Sequence, residues 1–262
     1  MRAADHPYFD LTGPVGLAHR GGAAYTPNHL RENTIAAFAQ AVSLGYRYLE
    51  TDVHATRDGH LVAFHDDRLD RVTDQTGAIA QTPYAQVSRA RTRAGDPIPT
   101  LAQVLEEFPQ ARINIDVKAA GAIAPLVELI RATNAWDRVC VGSFSERRLW
   151  ATRRALGRRL ATAAGPAGVV GWRFGPAVVE RWVHSPAPVL QIPVDHMVRG
   201  RRVRLLTPAL VERVHRAGKH VHVWTIDDPD QMRELLDLGV DGIVSDRIDL
   251  LREVLAERGR TP

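Results

Sequence analysis

Short apolar runs alternate with helix-length amphipathic stretches along most of this 262-residue chain, and that rhythm leaves few folds open. Eight runs read as strands: residues 15–19, 48–53, 112–117, 138–142, 160–164, 189–193, 220–225 and 242–245. Helical stretches follow most of them, at 34–44, 101–108, 122–132, 146–156, 208–217, 229–238 and 250–258. In the first, Ile35, Phe38 and Val42 recur near the 3.6-residue period of a helix. Thr207-Pro208 and Asp228-Pro229 each set a capping side chain before a proline at the first helical turn. Gly218 and Gly239 suit helix ends. Repeated strand–helix units bury their apolar faces in a parallel sheet, and eight of them predict a closed α/β (β/α)8 barrel. Residues 165–188 are the least regular part of the pattern.

Residues 61–99 break the rhythm. They follow the second strand, carry a short strand of their own at 61–64 and several turn residues, and hold no long helix. The reading is a single domain over 1–262 with an insertion at about 61–99, at the barrel's catalytic end. The lone cysteine, Cys140, has no disulfide partner and lies in the apolar run Arg138-Val139-Cys140-Val141, where it reads as a small buried hydrophobe. Met1 to Pro7 holds no apolar stretch of signal-peptide length, and no segment reaches the roughly 18 apolar residues of a membrane helix. A soluble cytoplasmic protein with no integral membrane segment is expected. Net charge is +4, carried mostly by arginines spread along the chain, with one cluster at Arg199-Gly200-Arg201-Arg202-Val203-Arg204. That scatter reads as solvated surface rather than as a nucleic-acid footprint, and leaves a modest pull toward anionic small molecules.

Glu50 and Asp52 stand two apart on the second strand and so point to one side. At the carboxyl end of a barrel strand that side faces the active site. Asp116 and Lys118 share a face at the end of the next strand. Three carboxylates from neighbouring strands repel one another unless a cation neutralises them, and oxygen-only ligands favour Mg2+ or Ca2+ over zinc. The plain alternative is ion pairing with Arg20, Lys118 or another base. His19 ends the first strand, Arg20 offers a planar fork matched to phosphate oxygens, and Gly21-Gly22 lets backbone approach a ligand. His65 ends the inserted strand and precedes Asp66. Two imidazoles exchange protons near neutral pH, one as base and one as acid on the two ester oxygens of a phosphodiester. His6, His29, His54, His60, His184, His196 and His215 read as surface or structural. His220, His222 and Trp224 alternate on one face of the seventh strand. Trp224, nearest the carboxyl end, reads either as the wall of a substrate pocket or as barrel filling, while the two histidines lie deeper and read as filling. Together these residues suggest a metal-assisted enzyme that cleaves phosphate esters.

With those residues in place, the chain resembles the glycerophosphodiester phosphodiesterases. The likeness runs through His19-Arg20-Gly21, Glu32-Asn33-Thr34, Glu50-Thr51-Asp52, Thr56-Arg57-Asp58-Gly59, His65-Asp66, Leu69-Asp70-Arg71-Val72-Thr73 and Gly77. It continues with Ile98-Pro99-Thr100-Leu101, Asn114-Ile115-Asp116-Val117-Lys118, Ser143-Phe144, Val223-Trp224-Thr225 and Gly239-Val240-Asp241-Gly242-Ile243-Val244-Ser245-Asp246. The first hundred or so residues carry the specific part. The resemblance implies a TIM barrel with a small insertion after the second strand, and hydrolysis of glycerophosphodiesters to glycerol 3-phosphate and an alcohol. It implies that His19 and His65 form the acid–base pair, and that Glu50, Asp52 and Asp116 hold a divalent metal, Mg2+ or Ca2+. Arg20, Glu32 and Lys118 would bind or orient the phosphate and glycerol groups.

The chain departs from the family pattern in three places. The third metal acid, often glutamate, is Asp116; Arg31 stands where a proline is usual, after a longer loop at 23–30; and the last motif reads Ser245-Asp246-Arg247-Ile248, where a threonine and a later proline are common. Two other readings compete. A lysophospholipase D-like enzyme on the same scaffold would need an apolar groove, with Val169, Val170, Trp172 and Phe174 as candidates, though that run reads more readily as helix packing. A non-catalytic anion-binding barrel predicts a missing or dispersed histidine pair, and both histidines and all three acids are present.

Overall fold

The computed structural model describes residues 1–9, 13–176, 186–198 and 200–262. Its strands are β1 (Val15–Ala18), β2 (Tyr48–Ala55), β3 (Leu61–Ala63), β4 (Arg112–Val117), β5 (Val139–Gly142), β6 (Ala161–Thr162), β7 (Val189–Ile192), β8 (Asp195–Val198), β9 (Arg201–Arg204), β10 (His220–Val223) and β11 (Gly242–Ser245). Eight of them run parallel in the order β6-β5-β4-β2-β1-β11-β10-β7. A parallel bridge between Ala163 and Val189 joins the two ends of that path into a ring. The eight expected barrel strands are therefore all present.

The helices are α1 (Ile35–Ser43), α2 (Tyr84–Val87), α3 (Leu101–Glu107), α4 (Ile123–Thr133), α5 (Glu146–Leu156), α6 (Pro166–Phe174), α7 (Pro208–Arg216), α8 (Pro229–Asp237) and α9 (Ile248–Ala256). All but the four-residue α2 belong to the repeating strand–helix units. Thr207 and Asp228 cap α7 and α8 as their sequence predicts, each accepting a hydrogen bond from a first-turn N–H. Among the described residues, no helix is long and apolar enough to cross a membrane.

Two excursions leave the ring, both beyond the carboxyl ends of barrel strands. The first holds β3, antiparallel to β2 through Val53 opposite Ala63, and the short α2. It has its own apolar cluster of Val62, Phe64, Leu69, Val72, Ile79, Val87, Ala90 and Ile98. The second is the antiparallel β8–β9 hairpin after β7, which the sequence did not announce. Its strands carry His196, Met197, Arg201, Arg202 and Arg204 exposed, so no apolar alternation marked them.

Alternation along the barrel strands divides two cores. Leu49, Val53, Ile113, Ile115 and Val141 face outward against helical residues such as Phe38, Leu101, Leu126 and Ile130. Val15, Leu17, Tyr48, Cys140, Ala161, Val189 and Val244 form a second cluster with Tyr8 and Phe9. These two aromatics belong to an amino-terminal segment that stoppers the amino ends of the strands. The Tyr48 hydroxyl donates to the Tyr8 carbonyl, Arg112 to the Pro7 carbonyl at 3.2 Å, and the Ala3 N–H to the Gly218 carbonyl at 2.7 Å. Phe9 lies edge-on to His220 at 5.3 Å. His222 is buried with no partner on either ring nitrogen, and burial pushes it down to about 3. It is a neutral filler, as the sequence suggested. Cys140 is also buried, and burial pushes its thiol well up, out of reach of thiolate chemistry.

Candidate active site

The site is built where β1 gives way to a tight turn. The sequence places His19 at the end of the strand, but β1 stops at Ala18 and His19 opens a single 3-10 turn to Gly21. The reason lies in the next residues: Arg20 (φ 51°), Gly21 (φ 86°) and Gly22 (φ 90°) all adopt left-handed backbone, which no strand accepts. This turn points the Arg20 N–H at Glu50 Oε2, 3.1 Å away. It also needs its glycines, because a Cβ on Gly22 would lie 2.6 Å from Ile248 and one on Gly21 would lie 2.8 Å from Ala37. Left-handed backbone and overlap each cost an alanine on the order of 1–2 kcal/mol. Gly22→Ala is therefore expected to lose about 2–4 kcal/mol of stability, read as a lower midpoint in thermal unfolding.

Each histidine has one ring nitrogen engaged by a carboxylate. His19 Nδ1 lies 2.8 Å from Asp246 Oδ1, and its Nε2 lies 3.8 Å from Glu50 Oε2. His65, just past β3, has Nδ1 2.7 Å from Asp66 Oδ1. A carboxylate on Nδ1 keeps the proton there and leaves Nε2 as the working nitrogen. Burial alone would lower the pKa of His19, but Glu50 and the Asp246 hydrogen bond outweigh it and raise it. Arg71 holds Asp66 down at about 2 through hydrogen bonds to that carboxylate.

The acids come from β2 and β4, in register: Asp52 is opposite Asp116, and Glu50 is one layer deeper, opposite Asn114. Asp52 is almost fully buried, at 2 % exposure. It accepts a hydrogen bond from Asn33 Nδ2 at 3.1 Å and lies 2.8 Å from Lys118 Nζ and 3.2 Å from Arg20 Nε. Burial would raise its pKa, yet Lys118 and Arg20 lower it. Lys118 Nζ also lies 2.7 Å from Asp116 Oδ2. Asp116 Oδ1 is buried with no partner. Burial beside Asp52 pushes Glu50 up to about 7. Glu32 receives Arg20 Nη1 at 3.4 Å and the fork of Arg71 at 2.6 and 3.0 Å. Trp224 stands edge-on to the exposed ring of Phe144 at 5.5 Å, and Lys118 Nζ lies 5.7 Å from the centre of that ring.

The structure thus brings His19, Arg20, Glu32, Glu50, Asp52, His65, Asp116, Lys118 and Trp224 to one end of the barrel. Through Asp66 and Arg71, one chain of polar contacts runs from His65 to Glu32, Arg20, Asp52, Lys118 and Asp116. The ion pairing set against metal binding is real for Asp52 and Asp116, because the Lys118 ammonium lies between them. Among the described residues, no three acids, histidines or cysteines stand close enough as placed to hold an ion. The donor chemistry still suits a hard cation: three carboxylates, one orphaned buried oxygen, and one acid driven to near-neutral pKa by burial and by a neighbouring carboxylate.

Four participants carried no assigned role in the sequence: Asp246, Asp66, Arg71 and Asn33. Asp66 and Arg71 lie in the His65-Asp66 and Leu69-Asp70-Arg71-Val72-Thr73 motifs, which left their pairing unmarked. Asp246 sits 227 residues from His19, a contact only the closed ring creates. His54 is structural, its Nε2 3.1 Å from the His65 carbonyl. His6, His60 and His215 likewise contact Arg159, Tyr84 and Asp241, while His29 and His196 are exposed. His184 lies outside the described residues, as does Arg199 of the basic cluster. In α6, Trp172 is buried but Val170 and Phe174 are exposed, so helix packing explains only part of that apolar run.

The pattern of the Glycerophosphoryl diester phosphodiesterase family matches residues 19–250. A protein of Mycobacterium tuberculosis named probable glycerophosphodiester phosphodiesterase 2 is 43% identical over 251 residues, covering 94% of this chain and 92% of its own. A human lysophospholipase D is 28% identical over 91% of this chain and 85% of its own. A phosphodiesterase of Oleispira antarctica, solved with the product sn-glycerol-3-phosphate, superposes with a TM-score of 0.76 at 27% identity, covering 93% of this chain and 97% of its own.

Proposed function

Because the chain belongs to the glycerophosphoryl diester phosphodiesterase family and is an enzyme that hydrolyses glycerophosphodiesters, we propose that His19 and His65 are its acid–base pair, set around a phosphate held by Arg20 and Lys118. The observation that carries this reading is the paired histidine geometry. Each imidazole is fixed through Nδ1 by its own carboxylate, and the two border one cluster of acids and cations. In the reaction a water oxygen bonds to phosphorus while the bond from phosphorus to the alcohol oxygen breaks. One Nε2 takes a proton from the water, and the other returns one to the departing alcohol. Arg20 and Lys118 meet the charge that gathers on the phosphoryl oxygens. Glu32 would accept hydrogen bonds from glycerol hydroxyls, and Trp224 with Phe144 would wall the alcohol side.

Glu50, Asp52 and Asp116 would hold a divalent cation, and their all-oxygen set selects Mg2+ or Ca2+. When bound, such an ion supplies positive charge at the phosphoryl oxygens. A product-bound relative supports the substrate class, since that protein was solved with sn-glycerol-3-phosphate.

A panel of glycerophosphocholine, glycerophosphoethanolamine, glycerophosphoglycerol and a lysophospholipid, each with and without EDTA, tests the reading. The expected result is metal-dependent release of glycerol 3-phosphate from the water-soluble diesters. Preference for the lysophospholipid would favour the lysophospholipase D reading, to which the exposed Val170 and Phe174 would then belong. No turnover of any of the four would remove the proposal.

A further inference from the structure

Arg71 makes more polar contacts at the mouth than any other side chain described above. Its Nε and Nη2 donate to Asp66 at 2.7 and 3.0 Å, and its Nη1 and Nη2 donate to Glu32 at 3.0 and 2.6 Å. One planar guanidinium therefore forks onto two carboxylates from different parts of the chain. Asp66 belongs to the excursion after β2 and holds His65; Glu32 belongs to the loop before α1 and contacts Arg20. Resting on the roles proposed above, we propose that Arg71 is the positioning residue of this site. It clamps the excursion to the β1–α1 loop and fixes the distance from the His65 imidazole to the phosphate grip of Arg20.

A stabilising role accounts poorly for this fork. The Arg71 side chain is 48 % exposed, and exposed ion pairs contribute roughly 0–1 kcal/mol. The excursion has its own apolar cluster and its pairing of β3 with β2, so its fold does not depend on the guanidinium. Two forks on a rigid plane set angle and distance together, which a lysine ammonium cannot do. A reacting group displaced by about 1 Å costs on the order of a hundredfold in rate.

The test uses the full chain, with glycerophosphocholine as substrate. R71A is expected to lower kcat on the order of a hundredfold while moving the unfolding midpoint by only a few degrees. R71K keeps the charge and loses the fork, so it stays slow. Added guanidinium ion restores part of the rate to R71A, whereas methylammonium does not. R71A combined with D66A is no slower than the slower single variant, because both break one linkage. Turnover by R71A within threefold of the parent overturns the inference. So does an R71A that fails to fold, since that would make the fork structural, and so does additive loss in the double variant. H65A separates the two levels. Normal turnover by H65A defeats the acid–base reading itself, whereas an inert H65A beside a normal R71A defeats only the inference about Arg71.

Discussion

His65→Ala and His19→Ala are each expected to reduce turnover of glycerophosphocholine by a hundredfold or more while the barrel stays folded. A positioned acid or base contributes about 10² to 10⁴ in rate, and the proposed mechanism uses one on the attacking water and one on the departing alcohol oxygen. The structure says why the fold should survive. The His65 side chain is 34 % exposed and lies past the end of β3, outside the excursion's apolar cluster. His19 sits in the turn after β1, at 17 % side-chain exposure. Its removal leaves Asp246 near the Asp227 region, where backbone and serine donors already order the loop. Steady-state kinetics beside thermal unfolding decide the matter. A variant that keeps near-normal kcat loses its assigned role, and the two-histidine mechanism goes with it.

Removal of divalent metal is expected to be comparably severe. EDTA should lower activity at least a hundredfold, Mg2+ or Ca2+ should restore it, and Glu50→Ala should abolish the restoration. Burial, and after it the like charge of Asp52, pushes the pKa of Glu50 up to about 7. A cation bound there relieves that crowding, so binding should also raise the thermal midpoint of the parent in proportion to occupancy. This second readout needs no substrate. If EDTA leaves the parent's rate unchanged and metal leaves its midpoint unchanged, Lys118 and Arg20 serve this acid cluster in place of a metal ion.

Much of this architecture was legible in the residue order, because strand and helix periods are local properties. The eight strand runs and Thr207 and Asp228 as caps needed only neighbours to be read. The pairing of Glu50 with Asp52 on one face followed from alternation. What escaped is what ring closure creates. Asp246 reaches His19 only because β11 lies beside β1. Arg71 reaches Glu32 only because β3 folds back on β2. The β8–β9 hairpin escaped for another reason: its exposed arginines erase the period that marks a half-buried strand. The end of the first strand at Ala18 is hidden for a similar reason, since nothing in a non-glycine residue such as Arg20 announces left-handed backbone.

The plug formed by Tyr8 and Phe9 has a consequence for traffic. With the amino ends of the strands stoppered by Tyr48, Arg112 and His220 against that segment, the histidines and acids described above all lie at the opposite, carboxyl end. Diester and water would arrive, and both products leave, from that same end, so each departing glycerol phosphate would stand in the path of the next arrival.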